Sequence, residues 1–258
     1  MGNADMSVKL FSHTQLSKGF RETLGELADG VTDGKLLALT AIRTCYSSNK
    51  PSEIVAKEGA KYLKETASDG GEGKEADRLI RMIVSSGHTS TLEGITFNFT
   101  VEGVSRALLA QLTRHRVGFS FSVQSQRYVR MGSDDRIGGF DYVVPESVHK
   151  SAREVPLNDD IDIQYGADEI FEMAMQNAQL YYDKLREVGV SPEDCRAVLP
   201  NAAATNLVLT ANLRALLDFY AKRKKGRGAQ AEVAELAERL REEVVKVEPW
   251  TNKFFEEA

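Results

Sequence analysis

The residues best suited to chemistry lie in one short segment, residues 114–128. It holds three arginines, one histidine, three serines and two glutamines. No aspartate or glutamate occurs anywhere in residues 103–133, although five arginines do. A guanidinium presents its N–H donors in a planar fork that suits phosphates and flat heterocycles, and serine and glutamine side chains add further donors. The segment therefore predicts an anion-binding site.

A second segment, residues 195–231, has the same character. Its only acidic residue is Asp218, against seven lysines and arginines. The two segments carry net charges of +5 and +6, whereas the whole chain carries −5. Positive charge is thus concentrated in two places of an otherwise acidic protein. We expect these places to form one site in the fold.

The elements around the first segment follow from its pattern. Apolar residues alternate strictly over 95–101, which predicts a strand with one face in the core. A helix over 104–115 would bring Gln111, Arg114 and His115 close together, and Gly118 would end it. We expect extended chain over 119–129, in which serine and glutamine side chains can point into a site.

The remaining elements are mostly helices. Amphipathic spacing predicts them over 34–46, 74–86, 164–187, from Asn212 onward, and over 230–247, the last as a solvated surface helix. Asn212 is the expected N-cap of the helix that it begins. Residues 206–210 are expected to form a strand, and the glycine- and aspartate-rich residues 131–145 an irregular insertion. No internal repeat is visible.

Composition narrows the class of protein. With 258 residues, 42% hydrophobic and 28% charged, the chain has the makeup of an ordinary globular protein. The two cysteines have no metal or redox spacing, which fits the reducing cytoplasm, where we expect the protein to reside. No apolar run approaches membrane-spanning length, and the overall acidity argues against nonspecific nucleic-acid binding. We predict no membrane association, no nucleic-acid partner and no metal.

Several single residues also have purely structural explanations. His88 and His115 taken alone would more often be structural than catalytic, and Ser90 and Glu93 have the spacing of a helix capping box. Ser125 has no adjacent base and would be a weak nucleophile, so we expect it to donate a hydrogen bond to phosphate. Cys195 lies at a predicted helix start, which could lower its pKa and make it a nucleophile.

The order of residues in the first segment resembles a known signature. Arg114-His115-Arg116, eight residues, Ser125 and then Gln126-Arg127-Tyr128 look like the motif of flavin-dependent thymidylate synthases. Three further blocks in the same order resemble other parts of that family: Gly87-His88-x-Ser90-x-x-Glu93, Arg196-x-x-Leu199-Pro200, and Asn212-x-Arg214 with Arg223 and Ala229-Gln230-x-Glu232. We therefore identify the chain as a member of this family.

The resemblance implies a fold and a site. The expected fold is α/β of the α+β type, one domain over 1–258 with a mixed sheet and long helices, assembled as a homotetramer with active sites at subunit junctions. FAD would lie near His88, Ser90, Glu93, Arg114, His115, Arg116, Asn212, Arg214 and Asp218. The substrate dUMP would be held by Gln111, Arg114, Ser125, Gln126, Arg127, Arg196 and Arg223. Of these, Arg196 and Arg223 are the candidates for catalysis beside the uracil ring.

The implied reaction is synthesis of dTMP from dUMP. Methylenetetrahydrofolate would donate the one-carbon group and FAD, reduced by NADPH, the hydride, without a protein cysteine nucleophile. The chain departs from the common pattern at Gly94, where many members have histidine, and at Asp218, where asparagine is common; residues 224–228 contain one extra residue. Two alternatives stay open: another flavoprotein or nucleotide-binding enzyme on the same scaffold, and a nucleic-acid-binding module that uses the basic run 222–227.

Overall fold

The computed structural model describes residues 1–157 and 163–257. The strands are β1 (Ser7–His13), β2 (Thr96–Ser105), β3 (Phe119–Val123), β4 (Val155–Pro156), β5 (Gln164–Tyr165) and β6 (Ala204–Asn212). The helices are α1 (Lys18–Leu24), α2 (Asp33–Tyr46), α3 (Ile54–Gly59), α4 (Glu75–Ser85), α5 (Arg106–Leu112), α6 (Glu146–His149), α7 (Ala167–Glu187), α8 (Pro192–Cys195), α9 (Leu213–Arg223), α10 (Ala231–Val247) and α11 (Asn252–Glu257). Short 3-10 turns cover Thr89–Leu92 and Arg196–Val198, among others.

Four strands form the main sheet, in the order β1-β2-β6-β3. All three strand pairings are antiparallel, so the sheet differs from the mixed one that we expected. The reason lies in the long excursion between β3 and β6. It returns the chain to the end of the sheet where β3 stops, so that Val123 pairs with Leu207 and β6 runs back along β3. The expected combination of a sheet with long helices is confirmed.

The alternating strand over 95–101 is confirmed and forms the centre of the core. Phe97, Phe99 and Val101 of β2 are fully buried, as are Leu209 and Ala211 of β6. Buried residues of α2, α4, α9 and α10 belong to the same cluster. Helices therefore cover one face of the sheet, which fixes the relative positions of the loops at its ends.

The last long helix, α10, is not the solvated surface helix that its charges predicted. It buries an apolar stripe that includes Val233, Leu236 and Leu240. Its Glu232 accepts hydrogen bonds from the backbone N–H of Ser105 at 2.7 Å and from its hydroxyl at 2.6 Å. The Ser105 hydroxyl also accepts from the N–H of Leu108, so Glu232 holds the residue that caps α5.

Residues 131–145 lack helices and strands but are not a loose insertion. Met131 and Phe140 join Tyr182 and Cys195 in a second buried cluster. The N–H of Met131 donates to the Tyr182 hydroxyl at 3.1 Å, and the side chain of Gln179 bonds the backbone of Met131 and Phe140. The segment is thus tied to α7. Among the helices of residues 1–157 and 163–257, none is long and apolar enough to cross a membrane.

Candidate active site

A cleft of about 340 Å³ opens between the ends of β2, α5 and β6. Its walls come from both of the basic segments, as the charge pattern predicted. Three arginines and a lysine face two carboxylates in it. The lining residues are Glu93, Arg114, His115, Arg116, Val117, Phe119, Asn212, Arg214, Ala215, Asp218 and Lys222.

The loop between α5 and β3 supplies the Arg-His-Arg triplet to this cleft. Helix α5 ends at Leu112, earlier than the expected 115, and the chain turns through residues 113–118. Gly118 has φ of +74°, and a Cβ there would lie 2.7 Å from Ala215 and 2.8 Å from the Asn212 side chain. Only glycine permits this conformation and approach. The triplet is therefore pressed against the start of α9.

The start of α9 is organised by Asn212. Its side-chain oxygen accepts from the N–H of Ala215 at 2.9 Å, which confirms the predicted N-cap. Two residues after this cap, Arg214 pairs with Glu93 at 2.5 Å, and further along α9 Lys222 pairs with Asp218 at 3.1 Å. The Arg214 and Glu93 side chains stay 46% and 43% exposed, so the pair contributes about 1 kcal/mol or less to stability. Both pairs can exchange partners with a ligand at little cost.

Glu93 does not act as a capping-box residue. It follows the 3-10 turn Thr89–Leu92, and its carboxylate reaches across to α9 instead of back to Ser90. Ser90 and Glu93 therefore do not form the helix capping box that their spacing suggested.

His88 and Ser90 lie outside the lining of the cleft. The ring of His88 meets Tyr46, whose hydroxyl is 3.2 Å from its Nδ1, and Ser90 is exposed. A second cleft of about 440 Å³ adjoins the first, since Arg214 and Asp218 line both. Thr89, next to His88, lines this second cleft together with apolar residues such as Leu217 and Phe254.

His115 lies between the cleft and Arg223. Its ring contacts Phe219 edge-on, with centroids 4.9 Å apart, and its Nε2 receives a hydrogen bond from Arg223 Nε at 3.1 Å. Burial, followed by the nearby charges of Arg223, Lys222 and Arg114, holds the pKa of His115 below its usual range. The imidazole is therefore neutral at pH 7.

The residues expected to hold dUMP are more dispersed. Strand β3 stops at Val123, and a turn begins at Ser125, whose carbonyl oxygen accepts a hydrogen bond from the N–H of Val129 at 2.9 Å. The prediction of extended chain to residue 129 is therefore wrong beyond Val123. In this turn the Ser125 hydroxyl accepts from the N–H of Arg127 at 3.2 Å, and Arg127 pairs with Glu193 of the α8 region. The Gln126 side-chain nitrogen is buried without a hydrogen-bond partner.

The other nucleotide candidates have separate contacts. Gln111 on α5 donates to the side chain of Gln230, whereas Arg223 contacts His115. Arg196 follows α8 and is exposed. Apart from Arg114, none of the residues expected to bind dUMP lines either of the two clefts.

Three residues that contact or adjoin the predicted site residues were not among the candidates from the sequence. Lys222 lines the main cleft, and Tyr46 contacts His88. Arg106 has its Nε buried without a partner, while its terminal nitrogen donates to the carbonyl of Gln124 at 3.3 Å. Burial and the neighbouring charge of Arg196 lower the pKa of Arg106. Its place in the acid-free stretch was the one available signal for Arg106.

Neither cysteine has the environment of a reactive nucleophile. Cys195 ends α8 instead of beginning it, is fully buried and donates to the carbonyl of Val190. Burial raises the pKa of its thiol, opposite to the lowering considered from the sequence. Cys45 is exposed and contacts the carbonyl of Ala41. Within the described residues no group of histidine, cysteine, aspartate and glutamate could hold a metal.

The donor set of the main cleft fits the flavin dinucleotide implied by the sequence. A pyrophosphate needs several convergent N–H donors and positive charge, which Arg114, Arg116, Arg214 and Lys222 provide. The phenyl ring of Phe119 and the aliphatic side chain of Val117 give the same cleft an apolar surface that suits a ring system. The cleft thus has the charge and the apolar surface that a nucleotide cofactor requires.

Comparison with known proteins identifies the family. The model of the thymidylate synthase complementing protein family matches residues 26–250. A flavin-dependent thymidylate synthase of Clostridium tetani is 34% identical over 238 residues, which cover 84% of this chain and 86% of the relative. One from Geobacter sulfurreducens is 37% identical over 205 residues, covering 80% and 75%.

Solved structures share the fold. The UMP/dUMP methylase PolB of Streptomyces cacaoi, bound with 5-Br dUMP, has a TM-score of 0.65 at 22% identity and covers 98% of this chain and 96% of its own. Thymidylate Synthase X of Helicobacter pylori, with FAD and dUMP, has a TM-score of 0.60 at 20% identity and covers 98% of both chains. The chain belongs to the flavin-dependent thymidylate synthase family and is an enzyme of the methyltransferase class.

Proposed function

We propose that this enzyme forms dTMP from dUMP, taking the one-carbon group from methylenetetrahydrofolate and the hydride from FAD that NADPH has reduced. No protein cysteine acts as nucleophile. Seven of the nine residues expected near FAD line one cleft, and this single observation carries the proposal. Separate stretches of sequence, at residue 93, residues 114–116 and residues 212–218, converge there.

The side chains have distinct tasks in this proposal. Arg114, Arg116 and Arg214 bind the phosphates of the flavin, while Asn212 and Glu93 fix the geometry of the cleft. The dUMP phosphate is bound by Arg127 and Ser125 at the turn after β3, with Gln111, Gln126 and the shared Arg114. His88 and Ser90 complete the flavin site from the turn before β2.

Arg196 and Arg223 act beside the uracil ring. A fixed guanidinium near the pyrimidine carbonyls stabilises negative charge that develops as C5 becomes nucleophilic. Arg223 is oriented by its hydrogen bond to His115, which supports this assignment. The thiol of Cys195 stays protonated at neutral pH because burial raises its pKa, which supports a mechanism without a cysteine nucleophile.

We also propose that the chain is one domain that works as a homotetramer. The nucleotide-binding candidates other than Arg114 lie outside the two clefts, so a neighbouring subunit would supply the missing walls. Light scattering should give a mass of four chains. A monomer that still binds FAD and dUMP tightly would contradict the assembly without contradicting the chemistry.

The function is tested with dUMP labelled with tritium at C5. Purified protein should show a flavin spectrum and should release tritium only when NADPH and methylenetetrahydrofolate are both present, with one dTMP formed per tritium. A flavin spectrum without dTMP formation would indicate a different flavoprotein. No flavin, together with binding of DNA through the basic run 222–227, would indicate the nucleic-acid module.

A further inference from the structure

The contact between His115 and Arg223 determines the protonation of the histidine. An arginine side chain has donors and no acceptor, and it stays charged in proteins. Because Arg223 Nε lies 3.1 Å from His115 Nε2 in hydrogen-bonding geometry, Nε2 must accept with its lone pair. The imidazole is therefore neutral and carries its proton on Nδ1.

The ring of His115 is held in place by aromatic contacts. Phe219 meets it edge-on at 4.9 Å between centroids, and Phe119 lies 6.1 Å away in a tilted arrangement. These residues belong to α9 and β3, on two sides of the loop that carries His115. The ring thus presents its Nε2 to Arg223 from a fixed orientation.

Arg223 needs such an anchor more than most arginines. It is the final residue of α9, and Lys224 after it already leaves the helical conformation. Its side chain is long and only half-buried, so it would otherwise sample many rotamers. Within the described residues, the hydrogen bond from Nε to His115 is what ties the Arg223 side chain to the rest of the protein.

The charges facing His115 come from its own loop and from α9. Arg114 lies next to it in the loop, Lys222 and Arg223 approach from the end of α9, and Asp218 is the one acidic group among them. Protonation would place a cation among three others, and it would also remove the acceptor of Arg223. Both effects push the guanidinium away from the ring.

We propose that His115 is the positioning residue of Arg223: its neutral imidazole holds the guanidinium toward dUMP, and its protonation in acid releases the guanidinium and weakens dUMP binding. This role rests on the proposed function, because it assigns dUMP as the ligand of Arg223. It makes the Arg-His-Arg loop a link between the flavin cleft, which His115 lines, and the nucleotide site.

Two uncharged replacements of His115 distinguish its role as a hydrogen-bond acceptor from the packing of its ring. His115→Phe keeps the aromatic packing and removes the acceptor, whereas His115→Gln keeps an acceptor that cannot be protonated. At saturating FAD, His115→Phe should raise the KM for dUMP about tenfold, as loss of a hydrogen bond to a charged group does, with a smaller change in kcat. His115→Gln should have a lower KM than His115→Phe.

The pH profile is the sharper measurement. Between about pH 8 and pH 5, where histidines titrate, the KM of the wild type should rise as the pH falls. The rise should be shallower in His115→Gln, because the dUMP phosphate, with a second pKa of about 6, still takes up a proton there but residue 115 does not. An acid rise in KM that is as steep in His115→Gln as in the wild type, or a His115→Phe variant that changes only FAD affinity, would overturn the proposal.

A measurement without turnover keeps the two proposals apart. The chain has four histidines, so the ring ¹⁵N signals of His115 can be assigned by comparison with His115→Phe. They should show the Nδ1–H tautomer, and Arg223→Gln should raise the apparent pKa of His115. A proton on Nε2, or no response to Arg223→Gln, would refute the contact. If the signals behave as expected but the wild type does not bind dUMP, the proposed function fails instead.

Discussion

The flavin cleft and the nucleotide-binding group differ in how completely one chain builds them. The cleft gathers side chains from the turn before β2, the loop after α5 and the start of α9. The residues expected to hold dUMP make their contacts in separate places: Arg127 with Glu193, Gln111 with Gln230, and Arg223 with His115. Arg114 alone belongs to both.

The difference has a structural origin. Glu93 lies just before β2 and Asn212 ends β6, and these two strands are neighbours in the sheet and share the core. The Arg-His-Arg loop after α5 is held against the start of α9 at Gly118. The turn at Ser125 and the region of Arg196 belong instead to the long excursion between β3 and β6. That excursion includes α7 and packs around a second buried cluster. The candidate flavin residues therefore meet largely in one cleft of the chain, whereas the candidate dUMP residues other than Arg114 lie in separate parts of the fold.

The largest effect is expected at the residue that both regions share. Arg114→Ala should lower kcat/KM for dUMP by on the order of a hundredfold or more and should also weaken FAD binding, because it removes charged contacts to two ligands. Steady-state kinetics and flavin content measure the two losses. Arg130→Ala, an exposed arginine in the same acid-free stretch, is the matched control and should stay within about twofold. Equal damage from the two changes would contradict a specific role for Arg114.

The second largest effect is expected at Arg223 and should affect the nucleotide-binding group without affecting the flavin cleft. Arg223→Ala should reduce kcat/KM for dUMP by roughly ten- to a hundredfold while the protein keeps its FAD, since the proposed function assigns Arg223 to dUMP and not to FAD. Lys225→Ala, an exposed neighbour beyond the helix end, should change activity only about twofold. If Lys225→Ala were as harmful, or if Arg223→Ala mainly abolished binding to DNA, the basic run would have a different purpose.

A smaller effect is expected at the ion pair between Arg127 and Glu193. Both side chains are largely exposed, at 57% and 44%, so the carboxylate competes with the dUMP phosphate for the same guanidinium at little cost in stability. Glu193→Gln should lower the KM for dUMP by up to about threefold. Glu187→Gln, which removes a surface pair with Lys184, is the control and should leave the KM unchanged. A higher KM in Glu193→Gln would show that Glu193 orients Arg127 instead of competing for it.

The smallest effect on chemistry is expected at the cysteines. The double variant Cys45→Ser, Cys195→Ser should keep dTMP synthesis largely intact, because neither thiol lines a cleft. Stability should fall by about 1 kcal/mol, since Cys195 lies in the second buried cluster. Chemical denaturation measures this loss, and the single variants assign it to Cys195. Abolished turnover in a folded, FAD-loaded double variant would overturn a mechanism without a cysteine nucleophile.

The sequence by itself determined the core strand, most helices and the chemical character of the site. Alternation over 95–101 placed Phe97 and Phe99 inside because side chains of a strand point alternately to its two faces. Asn212 was recognised as a cap because capping depends on residues three apart along the chain. The absence of acids around the Arg-His-Arg triplet predicts an anion-binding site there. These properties depend on residues that are close together in the chain, so they can be predicted from the sequence alone.

Only the tertiary structure decided which of these residues meet. The partner of Glu93 is Arg214, 121 residues later, and the cap of α5 depends on Glu232, 127 residues after Ser105. Spacing cannot reveal such pairs because their distance depends on how the sheet and helices pack. The same holds for Arg223, whose neighbour His115 comes from a loop that Gly118 folds against α9. Burial likewise reversed the expected pKa shift of Cys195, since a helix terminus lowers a thiol pKa only where solvent or a donor can stabilise the thiolate.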